Sequence, residues 1–554
     1  MRYFDRNTFL WFLAAAVFLL PGLNHTHLLD QTEVLLAEIS REMYASGTWL
    51  QTPLNYSPDP IFPPLFFWLQ RLSMQLWGVG EWAARFPNVL LGMVVLPFLY
   101  ISGKFLIDRK LGFFWALAWL GSFLPMLYLK SGMIDPLFNF LFFCSLFFII
   151  HYLWKRRDEK TFYLARSGKS YLLLAGIFLG LALLTRGIMA YGLMALTLIF
   201  YRLVVNPPYF ISGRHFLQYS GLALVFLGAW MGLNLVLQGP EFFRDYWAAQ
   251  GELYAGLELN QRSFPGYHFL VLLVGCFPAS IFALRGLGSL KGLKPQILDF
   301  QRWMVTLLLV VLIFFSLVGS KEIHYSSLAY YPLTFLAALT LWQITEFPGR
   351  YKRWITALVL VVGLIPVAAG IAIPWLGQRP QWLQRWWSGD PFALAKLQAE
   401  VHWDTWHYLP SIFLLLVLLI YAAFVRKTPR LAFRSLFAGT AIWSLLFLGF
   451  FLPPLERYTQ AAPVDFFSTY KDKDVYVTTY GYKSYIPWFY SQLPPYENAR
   501  ALSREWLLHG AVDKPVIIST RVTRLEELET EIPDARIIFT RNGYYFYRRP
   551  AVAK

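Results

Sequence analysis

Charge is what this sequence has least of. Only 15% of its 554 residues are charged, against about 25% in ordinary soluble domains. Mean hydropathy is +0.44 and 57% of residues are hydrophobic. That deficit excludes a soluble globular enzyme. Cysteine is nearly absent: Cys144 and Cys276 each sit inside an apolar run, which argues for buried thiols and against a structural disulfide. No P-loop or Rossmann fingerprint stands in a suitable context, so nucleotide use is not supported. There is no repeat at about 20–50 residues and no low-complexity segment.

Present instead are long apolar runs such as Phe9–Leu20, Val89–Ile101 and Ile355–Ile373. Each supplies most or all of a membrane helix. Hydropathy places about thirteen spans near 8–22, 83–103, 111–128, 133–153, 171–185, 187–204, 216–237, 267–285, 303–319, 325–345, 354–374, 409–425 and 433–452. The boundary at Thr185–Gly187 matters, because fusing those two runs would move every later loop to the other side. "MRYFDRNTFLWFLAAAVFLLPGLN" has the basic start and apolar core of a signal peptide. No small-residue cleavage site follows Leu20, so it reads as an uncleaved first membrane helix.

Net charge is +16. Its placement argues for orientation in a bilayer and against a nucleic-acid partner. With the N-terminus in the cytoplasm, alternate loops such as "WKRRDEKTFYLARSGK" and "RKTPRLAFR" hold roughly two dozen Lys and Arg, about twice the number in the opposite set. The opposite loops include a long one near 23–82 and a Trp-rich one near 375–408, expected to lie along the interface. After Pro453–Pro454 the composition changes. "KDVYVTTYGYKSYIPWFYS", "KPVIIST" and "ARIIFTRNGYYFYRRP" read as short strands, "NARALSREWLLHG" and "RVTRLEELETEI" as helices. The expected organisation is an α-helical polytopic membrane part over 1–455 with juxtamembrane helices, then a small α/β domain over 456–554 outside the cytoplasm.

Polar residues gather on that same side. In "HTHLLDQTEVLLAEISREM", Asp30 and Glu33 have the spacing of a capping box. Leu36, Ile39 and Met43 share a helix face, and Glu38 and Arg41 stand at i, i+3. A capped amphipathic helix on the membrane surface accounts for every charge there without chemistry. Asp135 opens the fourth span, Arg186 joins the fifth and sixth, and Lys321, Glu322, His324 and Tyr325 precede the tenth. Ionisable groups at membrane depth are costly and mark function, although each alone reads equally as a snorkelling residue. An acid beside a hydroxyl suits a general base, and cations with a tyrosine suit a phosphate oxyanion. Together they suit transfer of a group away from a phosphate. His25 and His27 near Asp30 form only a weak metal signal, so no cofactor is expected and a divalent metal is a minor alternative.

"DQTEVLLAEISREMYASGTWLQTPLN", "PPLFFWLQRLSMQLWGVGEWAARFPNVL", "SGMIDPLFNFLFF", "GLALLTRGIMA", "GPEFFRDYW" and "FFSLVGSKEIHYSSLAYYPL" resemble the GT-C glycosyltransferases of the lipid A aminoarabinose transferase and protein O-mannosyltransferase superfamily. The resemblance covers most of the membrane part. It implies an inverting membrane enzyme of the bacterial inner membrane, with a polyprenyl-phosphate-linked sugar as donor, a lipid, glycan or protein as acceptor, and a periplasmic site. It implies catalytic roles for Asp30 and Asp135. Donor-phosphate roles fall to Lys321, Tyr325, Arg85 and Arg262, and substrate contacts to Glu33, His324 and Arg186. The chain departs from aminoarabinose transferases where Glu33 replaces an arginine and Ile61-Phe62 replace a Glu-Lys pair, and Arg186 replaces a lysine. Sugar and acceptor are therefore open. Two rival readings also stand: an oligosaccharide ligase or oligosaccharyltransferase-like enzyme with a lipid diphosphate donor, and a non-enzymatic lipid-binding or transport protein.

Overall fold

Apolar segments in hydrocarbon must satisfy their backbone internally, which dictates helices. The computed structural model describes residues 5–54, 57–58, 62–157, 167–255, 264, 266–288, 293–317 and 321–552. Its helices begin with α1 (Arg6–Leu19), α2 (Thr32–Ser46), α3 (Leu65–Trp77), α4 (Glu81–Leu106), α5 (Arg109–Leu120), α6 (Phe123–Leu129) and α7 (Asp135–Arg156). Next come α8 (Gly168–Arg186), α9 (Met189–Val205), α10 (Gly213–Gln238), α11 (Pro240–Ala255), α12 (Tyr267–Gly275), α13 (Ala279–Gly286) and α14 (Pro295–Leu317). Then follow α15 (Tyr330–Glu346), α16 (Arg353–Gly377), α17 (Pro380–Trp386), α18 (Pro391–Lys396), α19 (Leu409–Phe424), α20 (Pro429–Thr459), α21 (Ala461–Ser468) and α22 (Ile486–Ser491).

Each of the thirteen expected segments falls on a helix or a bent helix pair. Among the described residues, eight helices are long and apolar enough to cross a bilayer, and two bent pairs raise that to ten. The remaining segments are α1, α9 and α15, with 14, 17 and 17 residues.

The bent pairs, α5–α6 at 74° and α12–α13 at 116°, are broken spans and not re-entrant loops. α5–α6 follows α1 from end to end. Arg109 lies 3.8 Å from Asp5 at the start of α1. Past α6, Lys130 Nζ donates to the Leu19 carbonyl at 2.9 Å and the Pro21 carbonyl at 2.5 Å. α12–α13 likewise follows α14. His268 lies against Phe315, while Gln301 Nε2 donates to Gly286 and Gly288 at 2.6 and 3.0 Å. Those two α14 positions are about 20 Å apart along the axis. Carbonyls freed at the breaks find hydroxyls, as apolar surroundings require. Thr440 bonds Gly121 at 2.7 Å and Ser280 bonds Leu273 at 2.6 Å.

Gly187 resolves the Thr185–Gly187 boundary. Its φ of 66° turns the chain after α8, and a Cβ there would stand 2.7 Å from the Tyr246 hydroxyl. α9 returns to the far face, where Tyr201 donates to Asp299 and Arg157 pairs with Asp299 at 3.3 Å. That face also gathers Lys104 with Asp5, and Lys110 and Arg430 with Glu346. The basic loops thus converge at one end of the bundle.

α2 corrects the surface-helix expectation. Every residue from Val34 to Met43 except Leu35 is buried, and so is Glu33. The helix lies against α3 and α22, and Glu38 and Arg41 pair at 2.7 Å inside. The Trp-rich stretch does leave Trp382, Trp386, Trp387 and Trp406 exposed, but Trp403 is buried and donates to Tyr458.

The C-terminal part holds a mixed sheet of β1 (Tyr476–Thr479), β2 (Val516–Arg521), β3 (Arg536–Arg541) and β4 (Tyr544–Arg549), in the order β1-β2-β4-β3. β1–β2 is parallel and the other pairs are antiparallel. Asn542 and Gly543, at φ 51° and 78°, form the tight hairpin turn that positive φ demands. Two expectations shift. Residues 486–491 form α22 instead of a strand, since Pro487 suits a first helical turn and not a ladder. α20 also runs through Pro453–Pro454 to Thr459, so the expected boundary at 455 falls inside a helix. Val477, Ile517 and Phe546 pack with Leu28, Val34 and Ala37, seating the sheet on the first loop.

Candidate active site

Asp30 precedes α2 and is half-buried. The Tyr485 N–H donates to its Oδ1 at 3.4 Å, and Ser484 adds a side-chain hydrogen bond. Burial lifts its carboxyl above the ordinary range, against the downward pull of Ser484, Tyr485 and the Arg521 charge. Asp30 is not the cap of α2. Gln31 holds that position without a side-chain cap bond, and Glu33 reaches back to the Leu29 N–H at 2.8 Å.

The backbone around Asp30 is pinned by α20 and α22. Gln460 Oε1 accepts from the Asp30 N–H at 3.0 Å, and Gln460 Nε2 donates to the Leu28 carbonyl at 2.8 Å. Glu456 accepts from the His27 N–H at 3.0 Å and pairs with Nδ1 at 2.9 Å. The Tyr490 hydroxyl accepts from the Leu28 N–H at 2.9 Å. Burial pulls the His27 imidazole down, but the Glu456 carboxylate outweighs it and holds His27 above its ordinary value.

Arg85 has a different task from the phosphate contact expected of it. All five of its N–H donors have protein partners. They reach Glu33 Oε1 at 2.9 Å, Glu33 Oε2 at 3.1 Å, and the carbonyls of Leu23, Thr26 and His27 at 2.6, 2.8 and 2.9 Å. Glu33 is equally committed, because the Gly132 N–H also donates to it at 2.6 Å. Burial pushes the Glu33 carboxyl up, but Arg85 and these donors hold it below its ordinary value. The pair is a buried clamp joining the first loop, α4 and the approach to α7. It replaces the substrate contact expected of Glu33.

Asp135, Arg186 and His324 do come together. Asp135 Oδ1 meets Arg186 at 2.5 Å, and among the described residues Oδ2 is buried without a hydrogen-bond partner. His324 is buried close enough to feel both charges and that of Glu322. Tyr325 lies edge-on to His324 and stacks on Phe315 at 5.4 Å. Lys321 caps the end of α14, donating to the Phe315 and Ser316 carbonyls at 3.0 and 2.8 Å. Burial lowers its affinity for the proton. Arg262 lies outside the described residues.

Beside the Glu33–Arg85 clamp is a cavity of about 200 Å³, walled by His25, Glu33, Arg85, Lys130, Ser131 and Leu445; neither Asp30 nor Asp135 lines it. Burial, then the Arg85 charge, pushes the Lys130 ammonium down to about 8. Among the described residues no three His, Cys, Asp or Glu side chains group as a metal site. Lys130, Glu456, Gln460, Ser484, Tyr485 and Arg521 were not singled out from the sequence. Only Lys130, in "LKSGMID", stood beside a recognised motif.

The family model for dolichyl-phosphate-mannose-protein mannosyltransferase matches residues 62–231, which include Arg85, Asp135 and Arg186 but not Asp30 or Lys321. Undecaprenyl phosphate-alpha-4-amino-4-deoxy-L-arabinose arabinosyl transferase 1 of Proteus mirabilis is 24% identical over 61% of this chain and 60% of its own length. The Yersinia enterocolitica protein of that name is 25% identical over 73% of this chain and 74% of its own. The chain therefore spans about three fifths to three quarters of these relatives. ArnT from Cupriavidus metallidurans, solved bound to undecaprenyl phosphate, shares the fold with a TM-score of 0.72, 18% identity and 99% coverage of both chains. This chain thus has the fold of ArnT, and its sequence is similar to that of the undecaprenyl phosphate-aminoarabinose transferases and, over residues 62–231, to the protein mannosyltransferase family.

Proposed function

We propose that this chain is an inverting glycosyltransferase that moves a sugar from a polyprenyl-phosphate-linked donor to a lipid, glycan or protein acceptor. The observation that carries the base assignment is Asp30 itself: half-buried, raised in proton affinity, and fixed through its own N–H. A carboxylate so tuned suits a general base better than an ordinary solvated one. Relatives named for an undecaprenyl phosphate-linked sugar supply the donor class.

In this reading Asp30 accepts the proton of the acceptor hydroxyl or amine. The acceptor atom attacks the anomeric carbon opposite the phosphate, and the bond from that carbon to the phosphate oxygen breaks. The sugar inverts, and polyprenyl phosphate leaves as a stable anion that needs no acid to protonate it. A glycosidase, whose leaving group is an alkoxide, needs a second carboxyl for that purpose. Lys321 and Tyr325, with Arg262, receive the phosphate. Asp135, held by Arg186 and facing His324, orients the acceptor. We place the site and the C-terminal sheet on the periplasmic side of the bacterial inner membrane, because the basic helix ends lie at the opposite face.

Asp30→Asn tests the reading. Transfer should fall by about two to four orders of magnitude while donor binding and thermal unfolding stay near wild type. Near-normal turnover would overturn the base assignment. Lys321→Ala should weaken donor binding more than acceptor binding; equal loss of both would remove it from the phosphate site.

A further inference from the structure

The bundle end opposite the candidate site holds a second cavity, of about 210 Å³. Arg109, Lys110, Arg430 and Arg434 line it, with Phe113 and Phe114. The ordinary account of these cations is orientation in the bilayer. That account needs positive charge near the helix ends. It does not need convergence on one hollow from α5 and α20, far apart in sequence.

Charge at the hollow is only partly balanced. Glu346 meets Lys110 at 2.7 Å and Arg430 at 3.3 Å. Asp5 is 3.8 Å from Arg109 but already holds Lys104 at 2.8 Å. Arg434 rests over the Phe113 ring at 4.9 Å. Four cations thus face two carboxylates, one of them shared outside the hollow. The positive end of the α20 dipole adds to the field, whereas the Asp108 carboxylate caps the α5 end by accepting from the Lys110 and Leu111 N–H groups. Arg109, Lys110 and Arg430 are 71%, 47% and 55% exposed, so a ligand can reach them. The two phenylalanines supply apolar wall beside the cations, as a lipid's glycerol and first methylenes require.

We propose that this cavity binds the phosphate of an anionic phospholipid on the membrane face opposite the transfer site. Basic pockets between helix ends recognise such headgroups. A soluble phosphate ester offers the same anion but would leave the apolar wall unused. The proposal is independent of the transferase reading.

Delipidated full-length protein, titrated with dioleoylphosphatidylglycerol and read by native mass spectrometry, tests it. The double variant Arg430→Ala/Arg434→Ala should weaken lipid binding about thirtyfold, and Arg434→Ala alone about fivefold. The control Arg426→Ala/Lys427→Ala removes the same charge from the adjoining loop outside the cavity and should stay within about twofold. Glycerol 3-phosphate should not displace the lipid at comparable concentration. Equal losses in both double variants, or none in either, would overturn the site. Displacement by glycerol phosphate would overturn the lipid assignment. If the cavity double variant fails to fold, the exposed Arg434→Ala single variant decides against the same control.

Discussion

Arg85 and Glu33 give the sharpest contest between a role inferred from resemblance and one read from contacts. Substitution of Arg85 by alanine would leave Glu33 charged and fully buried, with its remaining donors at Leu29 and Gly132. Breaking a buried pair by removing one partner costs about 3–5 kcal/mol. Three carbonyls also lose their donor, each worth about 1–3 kcal/mol where water cannot enter. The loss should therefore lie at or above the top of the pair range. Glu33→Gln should cost less, because an amide keeps an acceptor for Arg85. The double variant Glu33→Leu/Arg85→Met should recover several kcal/mol over Arg85→Ala, because no buried charge remains. Unfolding in denaturing detergent, followed by tryptophan fluorescence, measures all three. If Arg85→Ala unfolds like wild type and loses only donor affinity, Arg85 is a phosphate ligand and the clamp reasoning is wrong.

The remaining predictions follow from titrating groups and their partners. Glu33 is held below its ordinary carboxyl value, so its contribution to stability is present above pH about 4.5 and lost as pH falls through its folded value. Glu33→Gln should remove that acid dependence from unfolding curves. His27 is raised above 6.5 by Glu456, so the stability it adds is complete below pH 6.5 and disappears as pH rises through the raised value; Glu456→Gln should flatten that limb. Arg521 pulls the Asp30 carboxyl down while burial lifts it, so Arg521→Met should move the acid limb of kcat/KM to higher pH. An unmoved limb would separate Asp30 from the titrating base. Asp135→Asn should weaken acceptor affinity more than donor affinity, and the opposite split would exchange the roles of Asp135 and Lys321.

Hydropathy located the membrane helices well because apolar length is a local property of the chain. The breaks at Gly121 and Pro278 were hidden, since the apolar run continues across them and the freed carbonyls are met by Thr440 and Ser280. α2 looked amphipathic because its charges were counted as solvated. Glu33, Glu38 and Arg41 are instead buried against partners, and Arg85 lies 52 residues from Glu33. Asp135, Arg186 and His324 were legible as residues on one side, and the Asp135–Arg186 ion pair was new. The support of Asp30 was not legible. Gln460, Ser484, Tyr485 and Arg521 reach it from more than 400 residues away, through a sheet whose seat on the first loop leaves no periodic signal.

The most direct test supplies the purified protein with an undecaprenyl-monophosphate-linked sugar and a matched diphosphate-linked donor, together with envelope acceptors, and measures the released lipid by mass spectrometry. Wild type should consume the monophosphate donor and release undecaprenyl phosphate, and Asp30→Asn should release almost none. Consumption of the diphosphate donor alone, or equal release by Asp30→Asn, would contradict the account.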